Sequence, residues 1–419
     1  MANSSTRTDS STRRESPPGT ISPPGAEPLS LGNGLDLASG QDLVAGQDLA
    51  SGQDLGRLVT ELQVRGVVDP AIAGNQGRRG GAGPSDHRAL TIHGSTVMVP
   101  VYNAVSQDSP YQLRQDASGA VAVAGPGGES LAAVQAPAEP AFYGFSTADG
   151  TPYKAIALLH GRDVLATTLL QTCIRFRDRS QSCQFCAIEQ SLDDGRTVVR
   201  KTPAQVAEVA EAAVRLDGVR QLVMTTGTPN SDDRGARLMA ETAAAVKAKV
   251  AIPIQGQCEP PDDPIWYQRM KDAGIDSLGM HLEVVEPEVR RRILPGKAEL
   301  TLERYYDAFE QAVAVFGRGQ VSTYLLAGLG DRAESLIACS ERLIQLGVYP
   351  FVVPFVPIAG TPLQHHPAPS TDFMVGVYGA VAALLRASDI SAAAMAAGCA
   401  KCGACSALSL FETAPAPQA

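Results

Sequence analysis

The sequence predicts an α/β protein whose core is a partial or complete (β/α) barrel, and three observations carry that expectation. After Arg162, apolar and partly β-branched runs alternate six times with helical patterns, which is the signature of serial βα units and a parallel sheet. The alternation is regular out to about residue 387, which favours a barrel over two dinucleotide-binding halves. Helix signals sit where that scheme needs them: Thr202 caps and Pro203 occupies the first turn of one helix, and Thr301 opens another.

In chain order, residues 1–86 read as a disordered, low-complexity segment. It begins rich in Ser, Thr, Pro and Arg and runs into hexapeptide repeats starting at Gly34, Gly40, Gly46 and Gly52 (GLDLAS, GQDLVA, GQDLAS, GQDLGR). Four such units bury too little to offset chain entropy as a solenoid coil, so a flexible tract is expected, with residues 1–56 dispensable. Gly77–Ser85 is a second loose stretch. Residues 87–161 alternate short strands with Gly-rich turns (Ala89–His93, Val97–Val101, Ala120–Val123), a small β-rich module. The barrel follows over 162–390, with strands near 164–170, 221–226, 250–257, 277–283, 320–326 and 351–358. Its helices lie near 203–216, 233–248, 263–273, 301–316, 331–346 and 371–387. Residues 391–419 form a Cys-rich tail, in which the Ala-rich run Ser391–Ala397 reads as helix.

The chain has 419 residues, 44% of them hydrophobic, enough for a large core. Its net charge of −9 argues against a nucleic acid held by general electrostatics; four of those charges come from residues 1–56, with seven acidic residues and three arginines. No apolar run reaches 18 residues, so no membrane span is expected, and the N-terminus lacks a secretory apolar stretch. Eight cysteines fall as 173/183/186, 399/402/405, and Cys258 and Cys339 alone. Such clusters favour metal binding over disulfides and imply the reducing cytoplasm.

Barrel chemistry sits at the C-terminal ends of the strands. The first strand ends in a polar loop with Cys173, Cys183 and Cys186, a C-x9-C-x2-C spacing. Three thiolates leave one iron of a four-iron cluster without a protein ligand, an open position that chemistry can use. A structural zinc site wants four ligands, usually from paired Cys-x2-Cys steps; here there is one pair and no nearby histidine. The second strand ends Thr225-Thr226-Gly227-Thr228, the third Cys258-Glu259-Pro260-Pro261, the fourth Met280-His281-Leu282-Glu283 ahead of Arg290–Arg292. The fifth ends Leu326–Asp331 and the sixth Gly360-Thr361-Pro362-Leu363.

On these residues the chain, over roughly 160–365, resembles the radical S-adenosylmethionine (SAM) enzymes, most of all the biotin synthase and lipoyl synthase group. Phe185 before the last cysteine matches that family's C-x-aromatic-C ending. The resemblance implies a [4Fe–4S] cluster on Cys173, Cys183 and Cys186 whose open iron chelates SAM, and reductive cleavage of SAM to a 5′-deoxyadenosyl radical. It implies SAM contacts from Thr226, Gly227 and Thr228, from Glu283, from Arg292 (or Arg291), from Gly328 in the Gly-rich fifth-strand segment, and from Gly360. It also implies a small-molecule substrate and an electron donor such as flavodoxin or ferredoxin. Two departures stand out. The first spacing is x9 where most members have x3, a long gap similar to that of the tRNA-modifying elongator family. Thr226-Gly227-Thr228 also has no acidic residue. The whole-chain pattern, with Gly398–Ser406 at its end, is similar to a narrower branch encoded beside nitrilases in bacterial nitrile- and cyanide-utilisation clusters.

Cys399, Cys402 and Cys405 can gather a second iron–sulfur cluster, bind zinc with a distant ligand such as Cys258, or bind nothing. The tail's low apolar content predicts that metal would order it, folded over the open face of the barrel. Cys258 is either a ligand or packing; Cys339, mid-helix among apolar residues, reads as core. His281, the His365-His366 pair and the Arg290–Arg292 run read as structure. Besides a radical SAM enzyme, the sequence admits a non-catalytic iron–sulfur or zinc scaffold or sensor, and a biotin- or lipoyl-type sulfur insertion. No catalytic side chain is assigned.

Overall fold

The computed structural model describes residues 52–71 and 85–414, all within one unit, Leu43–Ala419. They begin with α1 (Gly52–Arg65), where the expectation of disorder through residue 86 fails. Leu55, Leu58, Val59 and Leu62 fall at i, i+3, i+4 and i+7, so one face is apolar, and Leu58, Val59 and Leu62 are fully buried. The helix begins in the last hexapeptide, whose repeat disguised this stripe. The three repeats before it, and residues 77–84 of the second loose stretch, lie outside the described residues.

The β-rich module is an antiparallel sheet of β1 (His87–Ile92), β2 (Ser95–Pro100), β3 (Gln112–Gln115), β4 (Val121–Ala124) and β5 (Ser130–Gln135), in spatial order β2-β1-β5-β4-β3. The β1–β2 hairpin closes on His93 and Gly94, both at positive φ (46° and 80°), the conformation that matches the twist of the flanking strands. Short helices α2 (Ala104–Gln107) and α3 (Tyr153–Ile156) lead on to the barrel.

The barrel sheet keeps chain order: β6 (Leu158–His160), β7 (Val164–Thr168), β8 (Gln221–Thr225), β9 (Ile254–Gln257), β10 (Ser277–Gly279), β11 (Val321–Ala327) and β12 (Val348–Pro354). β6 is antiparallel to β7 and every later pair is parallel. Among the described residues β6 and β12 do not pair, so the barrel is partial. The strands are nearly continuous apolar or buried runs, as a parallel sheet covered on both faces requires. Between them run α4 (Gln190–Asp193), α5 (Pro203–Asp217), α6 (Ala236–Lys247), α7 (Ile265–Asp272), α8 (Pro287–Ile293), α9 (Leu302–Phe316) and α10 (Ala333–Leu346), and after β12 comes α11 (Thr371–Arg386). The capping box on α5 is complete, with Thr202 and Gln205 exchanging side chain-to-backbone bonds. All six strands and all six main helices expected from the sequence are present, within a few residues at their ends.

The tail carries α12 (Cys399–Cys402) and α13 (Leu408–Thr413), and α13 packs on both α1 and α11. Met395, Leu408 and Phe411 are buried, so the tail has the apolar content to dock that its composition concealed.

Candidate functional site: a three-thiol loop over the strand ends

The loop after β7 is braced against three other strand ends. The carbonyl of Thr228, beyond β8, accepts from Ile174 N at 3.0 Å, and Gly227 N donates to Leu170 O at 2.8 Å. Gln184 N donates to Ile293 O at 2.9 Å and Gly296 N to Gln181 O at 3.1 Å, tying the loop to the segment after β10. Leu363 N reaches Gln184 O at 3.3 Å from beyond β12. A β-carbon on Gly227 would lie 2.0 Å from the Thr172 carbonyl oxygen, so glycine is needed there for the loop's root to approach.

Cys173, Cys183 and Cys186 are free thiols, each partly buried. Burial pushes the Cys183 thiol well up, and the neighbouring Glu283 adds to it while Lys297 opposes it. Burial likewise pushes Cys186 up to about 12. Cys183 and Cys186 are therefore neutral on their own, and their ionisation has to be coupled to an incoming positive charge. Among the described residues, no group of three or more His, Cys, Asp or Glu side chains is gathered closely enough for one metal ion. A cluster that offers a separate iron to each thiolate does not require that convergence.

Two buried ion pairs flank the thiols, and sequence reasoning found neither. Lys297 Nζ lies 2.8 Å from Glu283 Oε2; burial is the largest single influence and opposes its charge, but Glu283 together with Tyr305, Glu259 and Cys183 outweighs it and holds the ammonium charged. Arg175 Nη1 lies 2.6 Å from Glu259 Oε1, and Cys173 and Cys183 are close enough to favour its charge. The second Glu259 oxygen, Oε2, is buried with no hydrogen-bond partner. The one available signal for Lys297 was Gly296, where a β-carbon would strike Gln181 and the Arg175 side chain. Glu283 holds φ at +67°, rare for a residue with a side chain, pinned by Glu283 N to Tyr324 O and Leu326 N to Glu283 O, both 2.8 Å.

The other expected contacts are spread along the same face. Thr226 Oγ1 turns to its neighbour Gly227 O at 2.8 Å, and Thr228 is buried. Arg292 donates to Leu329 O at 3.3 Å beside Gly330, and His366 Nε2 meets Gly328 O at 2.8 Å. Gly360, at φ +81°, abuts Gln190 of α4. Of the arginine run it is Arg290 that turns inward, to the carbonyls of Leu282 and Val284 and onto the Tyr305 ring; Arg291 is exposed and pairs with Glu288. His281 is half-buried, and desolvation and then Lys297 push it down to about 3; its Nδ1 accepts from Tyr324 N at 3.3 Å. Cys258 and Cys339 are both buried in the core and join neither thiol set.

The second thiol set is at the opposite end, which corrects the expected position over the open face. Gly398 N donates to Gln221 Oε1 (2.7 Å), Ala397 N to Ser277 Oγ (3.3 Å) and Ala396 N to Gln320 Oε1 (2.9 Å). Gln221 and Ser277 begin their strands and Gln320 precedes β11, so the tail enters the N-terminal mouth. Inside it, Cys399 Sγ lies 3.1 Å from Gln257 Nε2 and Cys405 Sγ 3.4 Å from His160 Nε2. Cys402 lies against Gly161, and Tyr324 lies close to all three thiols, its hydroxyl pushed well up by burial and then by their proximity.

A partial (β/α) barrel with a three-cysteine loop at its C-terminal mouth is the class that this geometry defines. Residues 180–338 match the family model for the Radical SAM superfamily. The chain is 26% identical over 246 residues to a bacteriochlorophyllide c C-7(1)-hydroxylase from Chlorobaculum limnaeum, covering 54% of this chain and 61% of that one. It is 28% identical over 169 residues to a lipoyl synthase from Citrifermentans bemidjiense, covering 39% and 54%. The chain thus spans roughly half to three-fifths of the length of these curated relatives. Among solved structures, methylornithine synthase superposes with a TM-score of 0.43 at 18% identity, covering 60% of this chain and 70% of that one. The family-model match and the two curated relatives support the radical SAM superfamily, whose members use a [4Fe–4S] cluster and SAM.

Proposed function

We propose that this chain is a radical SAM enzyme acting on a small-molecule substrate, with Cys173, Cys183 and Cys186 holding the [4Fe–4S] cluster. The observation that carries the reading is a loop of three free thiols braced over the C-terminal strand ends between two buried ion pairs. The donor set fits: three thiols on one loop, with no fourth protein ligand, leave an iron for SAM. When bound, the cluster supplies the electron that cleaves SAM to methionine and the 5′-deoxyadenosyl radical.

The chain's own residues do the positioning. Arg175 and Lys297 supply positive charge beside the thiolates. Glu259 Oε2, buried and unpartnered, offers an acceptor for the ammonium of SAM, and Glu283 offers a second across from Lys297. Thr226, Gly227 and Thr228, Arg292, Gly328 and Gly360 form the rest of the proposed SAM wall. Gly227 and Thr228 act through the loop root, and Arg292 through the turn after β11. The buried strand interior excludes water from a reactive carbon radical.

Cys399, Cys402 and Cys405 are proposed to hold a second iron–sulfur cluster, with His160 as a fourth donor from the floor. Its place at the N-terminal mouth suits electron relay from a flavodoxin or ferredoxin better than sulfur donation to a substrate at the other mouth. The Cys-rich tail is also the basis for assigning the chain to the nitrilase-associated branch. The test is anaerobic reconstitution followed by SAM and dithionite. 5′-Deoxyadenosine should form; iron loading without it would leave the scaffold reading.

A further inference from the structure

A cavity of about 1160 Å³ lies on the barrel flank, where β6 and β7 meet the N-terminal β-sheet. Neither cysteine set, nor Glu283, nor Lys297 lines it; Gln171, at the root of the thiol loop, does. Lys201 sits in its wall with 1% of its surface exposed. The Lys201 ammonium donates to Gln171 Oε1 at 3.2 Å and to Val198 O at 3.3 Å, both neutral oxygens. Burial alone pushes it down to about 7, with no charged partner contributing. A buried cation held only by amide oxygens is costly, and an anion beside it removes that cost.

The rest of the lining has the same sign. Arg88, Lys154 and Arg196 line the cavity with Lys201, against one carboxylate, Glu139. Arg88 is paired with Asp69 and Arg196 approaches Asp194 at 3.8 Å, so the rim is partly balanced while the interior is not. A concave wall of one sign concentrates counter-ions. The volume is just above the usual range of small-molecule sites, ample for a small ligand; Thr168 and Thr197 also line it, their hydroxyls bonded to Thr225 Oγ1 and Ala155 O.

We propose that this cavity binds a small anionic molecule, its carboxylate or phosphate seated on Lys201 with Arg196 at the rim. The site stands whether or not the thiol loop carries a cluster.

Calorimetric titration of the full chain with succinate and with inorganic phosphate tests it, the two probes separating carboxylate from phosphate. Saturable binding of either is expected. Lys201→Met keeps the length and burial of the side chain and should weaken that binding by about thirtyfold or more, as for loss of one partner of a buried charge pair. Arg196→Gln, a rim change with little bearing on folding, should weaken it about threefold, as for a screened surface charge. Thermal melts of both variants should stay near wild type. Absence of saturable binding for both probes, or undiminished binding by Lys201→Met, overturns the proposal. If Lys201→Met does not fold, undiminished binding by Arg196→Gln overturns it.

Discussion

The two cysteine sets share a Cys-x2-Cys step and differ in everything around it. Cys173, Cys183 and Cys186 sit on a polar loop between Glu283–Lys297 and Arg175–Glu259. Cys399, Cys402 and Cys405 sit among Gln255, Gln257, Tyr324 and His160, with Asp163 near Cys402 as the charged neighbour. Charge beside a thiol loop lets a site bind and orient a charged ligand; amides, a phenol and an imidazole give the second set mostly neutral surroundings at similar burial. The first environment suits the proposed reacting centre, and the second is the less charged of the two.

The largest effect that would break this contrast is at Cys183. Cys183→Ala should remove about four irons per chain, one four-iron site, and abolish 5′-deoxyadenosine formation with circular dichroism unchanged. Normal SAM cleavage in that variant would refute the proposed site. Replacing Cys399, Cys402 and Cys405 together by Ala should lower iron from about eight to about four per chain. Substrate-independent SAM cleavage with dithionite should survive, because the chemical reductant bypasses the floor. Loss of zinc instead of iron would make the floor a structural metal site.

Two stability measurements sharpen the comparison. Deleting residues through Arg65 removes the buried Leu58, Val59 and Leu62 and should cost about 4–8 kcal/mol in denaturant unfolding, whereas deletion to residue 50 should cost nothing measurable. Equal stability of the two truncations would show that α1 does not hold the tail. Lys297→Met leaves Glu283 buried and unpaired and should cost about 3–5 kcal/mol, a loss that no single floor amide should match.

The smallest effect is in pH. His281 has a folded pKa of about 3, below the unfolded value, so the unfolded chain takes up its proton first as pH falls below about 6.5. Stability should then drop by about 2 kcal/mol between pH 7 and 5 relative to His281→Asn, which keeps an acceptor for Tyr324 N and cannot titrate. Parallel pH curves would show that His281 is not held neutral beside Lys297.

Much of the barrel was legible because its signals are local. The alternation of β7–β12 with their helices, the cap at Thr202 and the cysteine spacing each lie within a window of some fifteen residues. α1 was missed because a six-residue repeat overlaid its helical stripe. Arg175 was missed because its partner is far along the chain, Glu259 lying 84 positions away; Lys297 lies only 14 positions from Glu283, but the turn after α8 that brings them together leaves no periodic signal.

By itself the sequence determined the strand–helix alternation and the grouping of six cysteines into two sets, since periodicity and spacing are properties of neighbouring residues. Only the tertiary structure decided which mouth each thiol set occupies. The tail's direction depends on Gln221, Ser277 and Gln320 offering acceptors at the strand starts, and on α1 and α11 covering α13, contacts between segments up to hundreds of residues apart. A hydrogen bond or an apolar face acts through space, and its partner leaves no mark in the local pattern.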